Sequence, residues 1–192
     1  MRSKKGAIEL SMSTIVIVVI AMALLIGGIM LVRNILEGAN EIVDLTDENV
    51  LQEINELFSE GKDIVVKLGS SKIAEVKADG EMAGVVFAAN TVDGDGDTSD
   101  MRYTLSLDDT SKDNCLEELG EEETLSFFNK HFDQELEFDE AQNSGIAASQ
   151  IIIIVPEGTI LCNQLIRIDV YDGEAFVGRE SFTVDIVKAS LF

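Results

Sequence analysis

The chain has 192 residues, of which 36 are acidic and 14 basic, for a formal charge of -22, and 46% are apolar. This excess argues against a nucleic-acid-binding protein, because a polyanion is repelled by it and no counterion release holds the two together. The charge is also uneven. Four of the basic residues and one of the acidic residues fall within residues 1–33, leaving 10 basic against 35 acidic residues, a balance of -25, in residues 34–192.

The chain opens on Arg2, Lys4 and Lys5, then Gly6, and passes through Ala7-Ile8-Glu9 into an apolar run. From Ser13 to Val32 no side chain is ionisable. At about 1.5 Å per helical residue this stretch matches the roughly 30 Å hydrocarbon core of a bilayer. The reading is a membrane-spanning helix with its basic flank in the cytoplasm and the acidic remainder outside. An ordinary secretory signal carries its small cleavage-site residues after the apolar core. Here the small residue comes first, so a cut after Gly6 removes the basic patch and keeps the apolar run.

This arrangement resembles the class III signal of type IV pilins and archaellins, over Lys4 to about Arg33. The resemblance implies that a prepilin peptidase recognises Lys4 and Lys5 and cuts between Gly6 and Ala7. It implies further that Glu9 serves subunit assembly, and that the chain is one subunit of a helical homo-oligomeric filament raised on an assembly platform. Glu9 departs from the bacterial pilin pattern, being third in the processed chain where the acid is usually fifth. The run Ser13 to Met22 is similar to the archaeal version of the segment. Archaellins usually bear glycines nearer the cut and Asn-x-Ser/Thr sequons, and this chain has neither. Pilin is therefore favoured, with an archaellin as one alternative and a single-pass membrane-anchored, immunoglobulin-like binding module as another. Ala21, Ala23, Gly27 and Gly28 are small enough to let packed helices approach closely.

After Arg33 the apolar residues narrow to one face, with Ile35, Ala39, Ile42, Val43, Val50, Ile54, Leu57 and Phe58 at spacings near three and four. That period predicts an amphipathic helix, with Gly61 as a stop. The expected organisation is a leader at 1–6, one long helix at 7–60 (13–32 membrane-spanning or filament core, 34–60 amphipathic), and a β-sandwich ectodomain at 63–192. The fold class expected is α+β: the long hydrophobic helix, then an antiparallel, immunoglobulin-like sandwich.

From Asp63 the period becomes two. Strands are predicted around Ile64 to Leu68, Ile73 to Lys77 and Met82 to Ala89, with Asp79-Gly80 as a hairpin turn. Tyr103, Leu105 and Leu107 alternate with polar residues, giving a strand with one wet face. Ile151 to Val155 reads as a strand buried on both faces and ended by Pro156. Ile166, Ile168 and Val170, a turn at Asp172-Gly173, and then Phe182, Val184 and Ile186 complete the pattern. Between Cys115 and His131 the apolar spacing predicts one or two helical turns.

Cys115 and Cys162 are the only cysteines. In a chain placed outside the cytoplasm they allow one disulfide, two buried thiols being the other arrangement. Asp93, Asp95, Asp97 and Asp100 lie on a glycine-rich loop, a composition that suits calcium or a solvated hairpin tip. Thr98 and Thr104 stand where an EF-hand needs Gly and Glu, which excludes that loop type. A lone histidine, His131, and two distant cysteines cannot build a zinc site of the usual spacing. No nucleophile motif, cofactor fingerprint or metal cluster points to catalysis, so no enzyme is expected.

Overall fold

The computed structural model describes residues 15–26, 45, 48–58, 61–68, 71–92, 96–109, 114–141 and 145–189. The chain divides into two compact units, Met1–Glu37 and Gly38–Phe192. In the first, residues 15–26 form a helix, α1, whose large apolar side chains are 47–72% exposed.

The second unit begins with α2 (Glu48–Phe58) and continues through β1 (Ile64–Val66), β2 (Ile73–Lys77), β3 (Met82–Asn90) and β4 (Met101–Asp108). Two short helices follow, α3 (Cys115–Leu119) and α4 (Glu121–Ser126). The remaining strands are β5 (Glu135–Glu137), β6 (Glu140–Ala141), β7 (Ile146–Ile154), β8 (Asn163–Asp172) and β9 (Ala175–Val187). They form one sheet in the order β1-β3-β7-β6 and another in the order β2-β9-β8-β4-β5. Neighbours are antiparallel except β2, which runs parallel to β9 from Ile73 opposite Thr183 to Lys77 opposite Val187.

Strict alternation along these strands sends one set of side chains between the sheets. Val85, Phe87, Ile151 and Ile153 from one sheet meet Tyr103, Ile166, Ile168 and Phe182 from the other, each essentially fully buried. Burying a side chain of this size contributes roughly 2 kcal/mol. The rings of Phe87 and Tyr103 meet edge to face at 4.9 Å, the geometry that their quadrupoles favour. Gly178 of β9 lets the layers close: a Cβ there would stand 3.3 Å from Ile64 Cδ1.

A second apolar cluster lies on the other face of the first sheet, where Val50 and Ile54 of α2, with Leu45, pack on Val65, Val86, Ala88, Ile146 and Ala148. The amphipathic stripe of α2 is therefore occupied by its own domain. This explains why β7 is buried on both faces from Ile146 to Ile151, whereas Ile152 is half-buried and Ile154 is 41% exposed. Ile54 is 1% exposed. Ile54→Ala should accordingly cost about 2 kcal/mol in chemical denaturation, from lost burial and the cavity left behind.

Several expectations are overturned. The α+β class with one long N-terminal helix gives way to a mainly β domain with short helices. Leu45 is a buried turn residue, and α2 begins at Glu48, so the apolar stripe of residues 34–60 is carried in part by a short helix that covers one face of a sheet. The transmembrane helix is corrected with it: among the described residues no helix is long and apolar enough to cross a membrane. Residues 13, 14 and 27–32 of the predicted span lie outside the described residues.

The sandwich is also not wholly antiparallel. Asp79-Gly80 does not turn a hairpin, since β2 and β3 belong to different sheets. The Glu81 N–H donates to Asp79 Oδ1 and the Gly80 N–H to the Val155 carbonyl, so this turn carries the chain from one layer to the other. Asp172-Gly173 does open a hairpin, closed by Tyr171 opposite Phe176 and Asp172 opposite Ala175.

Candidate functional site

The processing and assembly residues Lys4, Lys5, Gly6, Ala7 and Glu9 lie outside the described residues, as do Asp93 and Asp95 of the acidic loop. Asp97 accepts the Ser99 N–H at 3.0 Å, and this bond, with that of the Ser99 hydroxyl, holds the exposed carboxyl below its usual range. Asp100 contributes its carbonyl to the Gly173 N–H at 3.1 Å, while Asp172 Oδ2 accepts the Val92 N–H at 3.1 Å. These bonds fasten the loop to the β8–β9 turn. Among the described residues no three His, Cys, Asp or Glu side chains are grouped to hold a metal ion.

Gly145 packs against the same loop with φ +81°, and a Cβ there would stand 2.9 Å from Thr91 Oγ1 and 3.2 Å from Gly96 Cα. Left-handed backbone and a close neighbour both oppose a side chain. Gly145→Ala should lower stability by about 2 kcal/mol, read as a shifted denaturation midpoint.

Cys115 and Cys162 are joined, tying the first residue of α3 to the residue before β8. Asn114 caps α3 by accepting the Glu117 N–H at 2.8 Å, satisfying a donor that has no partner within the helix. His131 is exposed. The outer face of the five-stranded sheet carries ion pairs, among them Arg179 on both oxygens of Asp169 at 2.5 and 2.9 Å. That hydrogen-bonded carboxylate raises the Arg179 pKa further.

The densest polar constellation lies where residues 127–141 cross from one sheet to the other. Phe127 accepts the Ile154 N–H and Asn129 donates to the Ile152 carbonyl, adding a short run of ladder to the free edge of β7. The chain then visits the second sheet as β5, beside β4, and returns to β7 as β6 opposite Ala147 and Ala148. Between these two contacts, side chains replace the ladder. Asn129 Oδ1 accepts the Ile152 N–H at 2.7 Å and Asp139 Oδ2 accepts the Gln150 N–H at 2.9 Å.

Asp139 Oδ2 also accepts the Ser149 hydroxyl at 2.6 Å, and Asp139 Oδ1 accepts from Lys130 Nζ at 2.5 Å. Because the Ser149 proton points to Asp139, the Tyr103 hydroxyl, 3.1 Å from Ser149 Oγ, is the donor to it. Burial pushes the Asp139 carboxyl up, but the bonds from Lys130, Ser149 and Gln150 together outweigh it and hold it below its usual range. Burial raises the Tyr103 hydroxyl. The two hydroxyls are buried, so this Ser-Asp pairing cannot present a nucleophile to an outside substrate.

Sequence reasoning missed this constellation because its members are scattered through the chain. The one visible sign is Ser149-Gln150, a polar pair inside an otherwise apolar strand.

No family model matches the chain, and no curated protein matches it in sequence. Among solved structures it is similar to the ASH / PapD-like domain of human CEP192 (PapD-like domain 7), at 12% identity and a TM-score of 0.33, over 67% of this chain and 88% of that one. It is also similar to a family 123 glycoside hydrolase from Clostridium perfringens, at 14% identity and a TM-score of 0.29, over 68% of this chain and 28% of that one. Neither likeness carries an argument about this chain.

Proposed function

We propose that the chain is a structural subunit of an archaeal type IV pilus-like surface filament serving attachment. A prepilin peptidase cuts it after Gly6, the retained apolar segment packs among copies of itself, and the acidic β-sandwich is displayed outside the cell. The observation that carries this reading is the order Lys4-Lys5-Gly6 followed by an uncharged run from Ser13 to Val32. The exposure of the large apolar residues of α1 supports it, since side chains such as Ile15, Leu24 and Leu25, on different sides of the helix, need apolar partners from elsewhere.

The mechanism is assembly without turnover. Association of the N-terminal segments supplies cohesion, and the excess of 25 negative charges in residues 34–192 keeps the outer domains solvated and apart. Shearing of cells tests the reading. The subunit should enter the sheared surface fraction as fibres visible by electron microscopy; its retention in the membrane pellet, with no fibres, contradicts the filament and favours an anchored binding module.

A further inference from the structure

We propose that Lys130 and Asp139 condense spontaneously to an intramolecular isopeptide bond, locking residues 127–141 across the edge of β7. The proposal does not rest on the filament reading. It rests on the surroundings of this one pair, which differ from those of the other lysine–carboxylate contacts.

Lys130 Nζ lies 2.5 Å from Asp139 Oδ1, and its side chain is only 14% exposed. The other oxygen, Oδ2, receives the Ser149 hydroxyl and the Gln150 N–H, and Tyr103 in turn donates to Ser149. Two fixed donors on one oxygen are what a tetrahedral intermediate of acyl transfer requires where its negative charge develops. Intramolecular placement supplies the rest, since well-oriented neighbours react as though at effective concentrations of about 10⁵ M or more. Lys72 also pairs with Glu180, but its side chain is 44% exposed. Lys67 and Glu53 are 31% and 57% exposed.

The step balances without a co-reactant. One ammonium proton passes from Nζ to Oδ1, leaving a neutral amine and a carboxylic acid. The Nζ lone pair attacks Cγ while charge builds on Oδ2 beneath Ser149 and Gln150. Oδ1 takes a second proton from Nζ and leaves as water as the C–Oδ1 bond breaks and the C–N bond completes. The third proton stays on the amide nitrogen. Asp139 is 38% exposed, which gives the departing water a way out.

The product has a structural use. Where the Asn129 and Asp139 side chains substitute for donors and acceptors of the β7 ladder, a covalent link prevents the strap from peeling off a strand that includes Ile151-Ile152-Ile153-Ile154.

The test is peptide mass spectrometry on the purified full-length protein, denatured, reduced, and digested with a Glu-specific protease, which cuts after Glu135 and Glu137 between the two residues. The expected result is one branched species joining the Lys130 and Asp139 peptides, lighter than their sum by one water, with Lys130 inert to an amine-acylating reagent. Lys130→Arg and Asp139→Ala should give only linear peptides. Asp139→Asn should restore the same branched product, with ammonia leaving in place of water. Separate linear peptides with a free Lys130 amine in the wild-type protein would overturn the proposal; that measurement needs no variant to fold.

Discussion

Replacing both Cys115 and Cys162 with serine should lower the unfolding free energy of the full chain in detergent by about 4 kcal/mol. The bridge closes a loop of sequence separation 47, and in the chain-entropy account a closure of that length removes about this much from the unfolded ensemble. On the folded side serine nearly matches the volume of these buried residues, and its hydroxyls in the apolar core add a smaller cost of their own. The loop contains α3 and α4, β5 and β6, and all of β7, so its loss loosens the elements that close one side of the sandwich. Denaturant titrations of the bridged, reduced and doubly substituted proteins measure the effect. Reduced and substituted forms should both have midpoints well below that of the bridged one, and three coincident curves would mean that the bridge does not constrain the unfolded chain.

Asp139→Ala should be nearly as costly, at about 3 kcal/mol. The substitution strips the acceptor from the Gln150 N–H and the Ser149 hydroxyl and leaves Lys130 without its acid. A buried donor without a partner costs about 1–3 kcal/mol, and a charge left largely buried adds to that. Asp139→Asn condenses with Lys130 to the same amide and should match the wild-type protein in stability. Hydrogen exchange locates the damage: the Gln150 and Ile152 amides should lose protection before those of β8. Uniform loss across both sheets would show that the strap is not a separate element of the fold.

Much of the sandwich was legible in the residues. Ile73 to Lys77 alternates as written, because its two buried positions, Ala74 and Val76, face the core while Glu75 and Lys77 do not. The same alternation marks β4 and β8. What alternation cannot show is which strand lies beside which. Asp79-Gly80 has hairpin composition, yet its flanking strands part to opposite layers, a choice made by the pairing of β2 with the distant β9. The amphipathic period at Val50 to Phe58 was likewise genuine, but a period reveals only that a face needs cover, not what covers it. Here the cover is Val65, Val86 and Ala88 of the same domain, on which the short helix α2 lies after the turn at Leu45. Within the candidate site, the cysteine pair stood out by its count alone. Lys130, Asp139 and Ser149 did not, since neither their types nor their spacings repeat any motif, and only the crossing of the strap between the sheets brings them together.

The account stands most directly on the residue that begins the mature protein. Amino-terminal sequencing of the chain recovered from its native cell surface should read Ala7-Ile8-Glu9, with the basic leader gone and the apolar segment intact. A chain that still starts at Met1, or one trimmed beyond Val32, would contradict it.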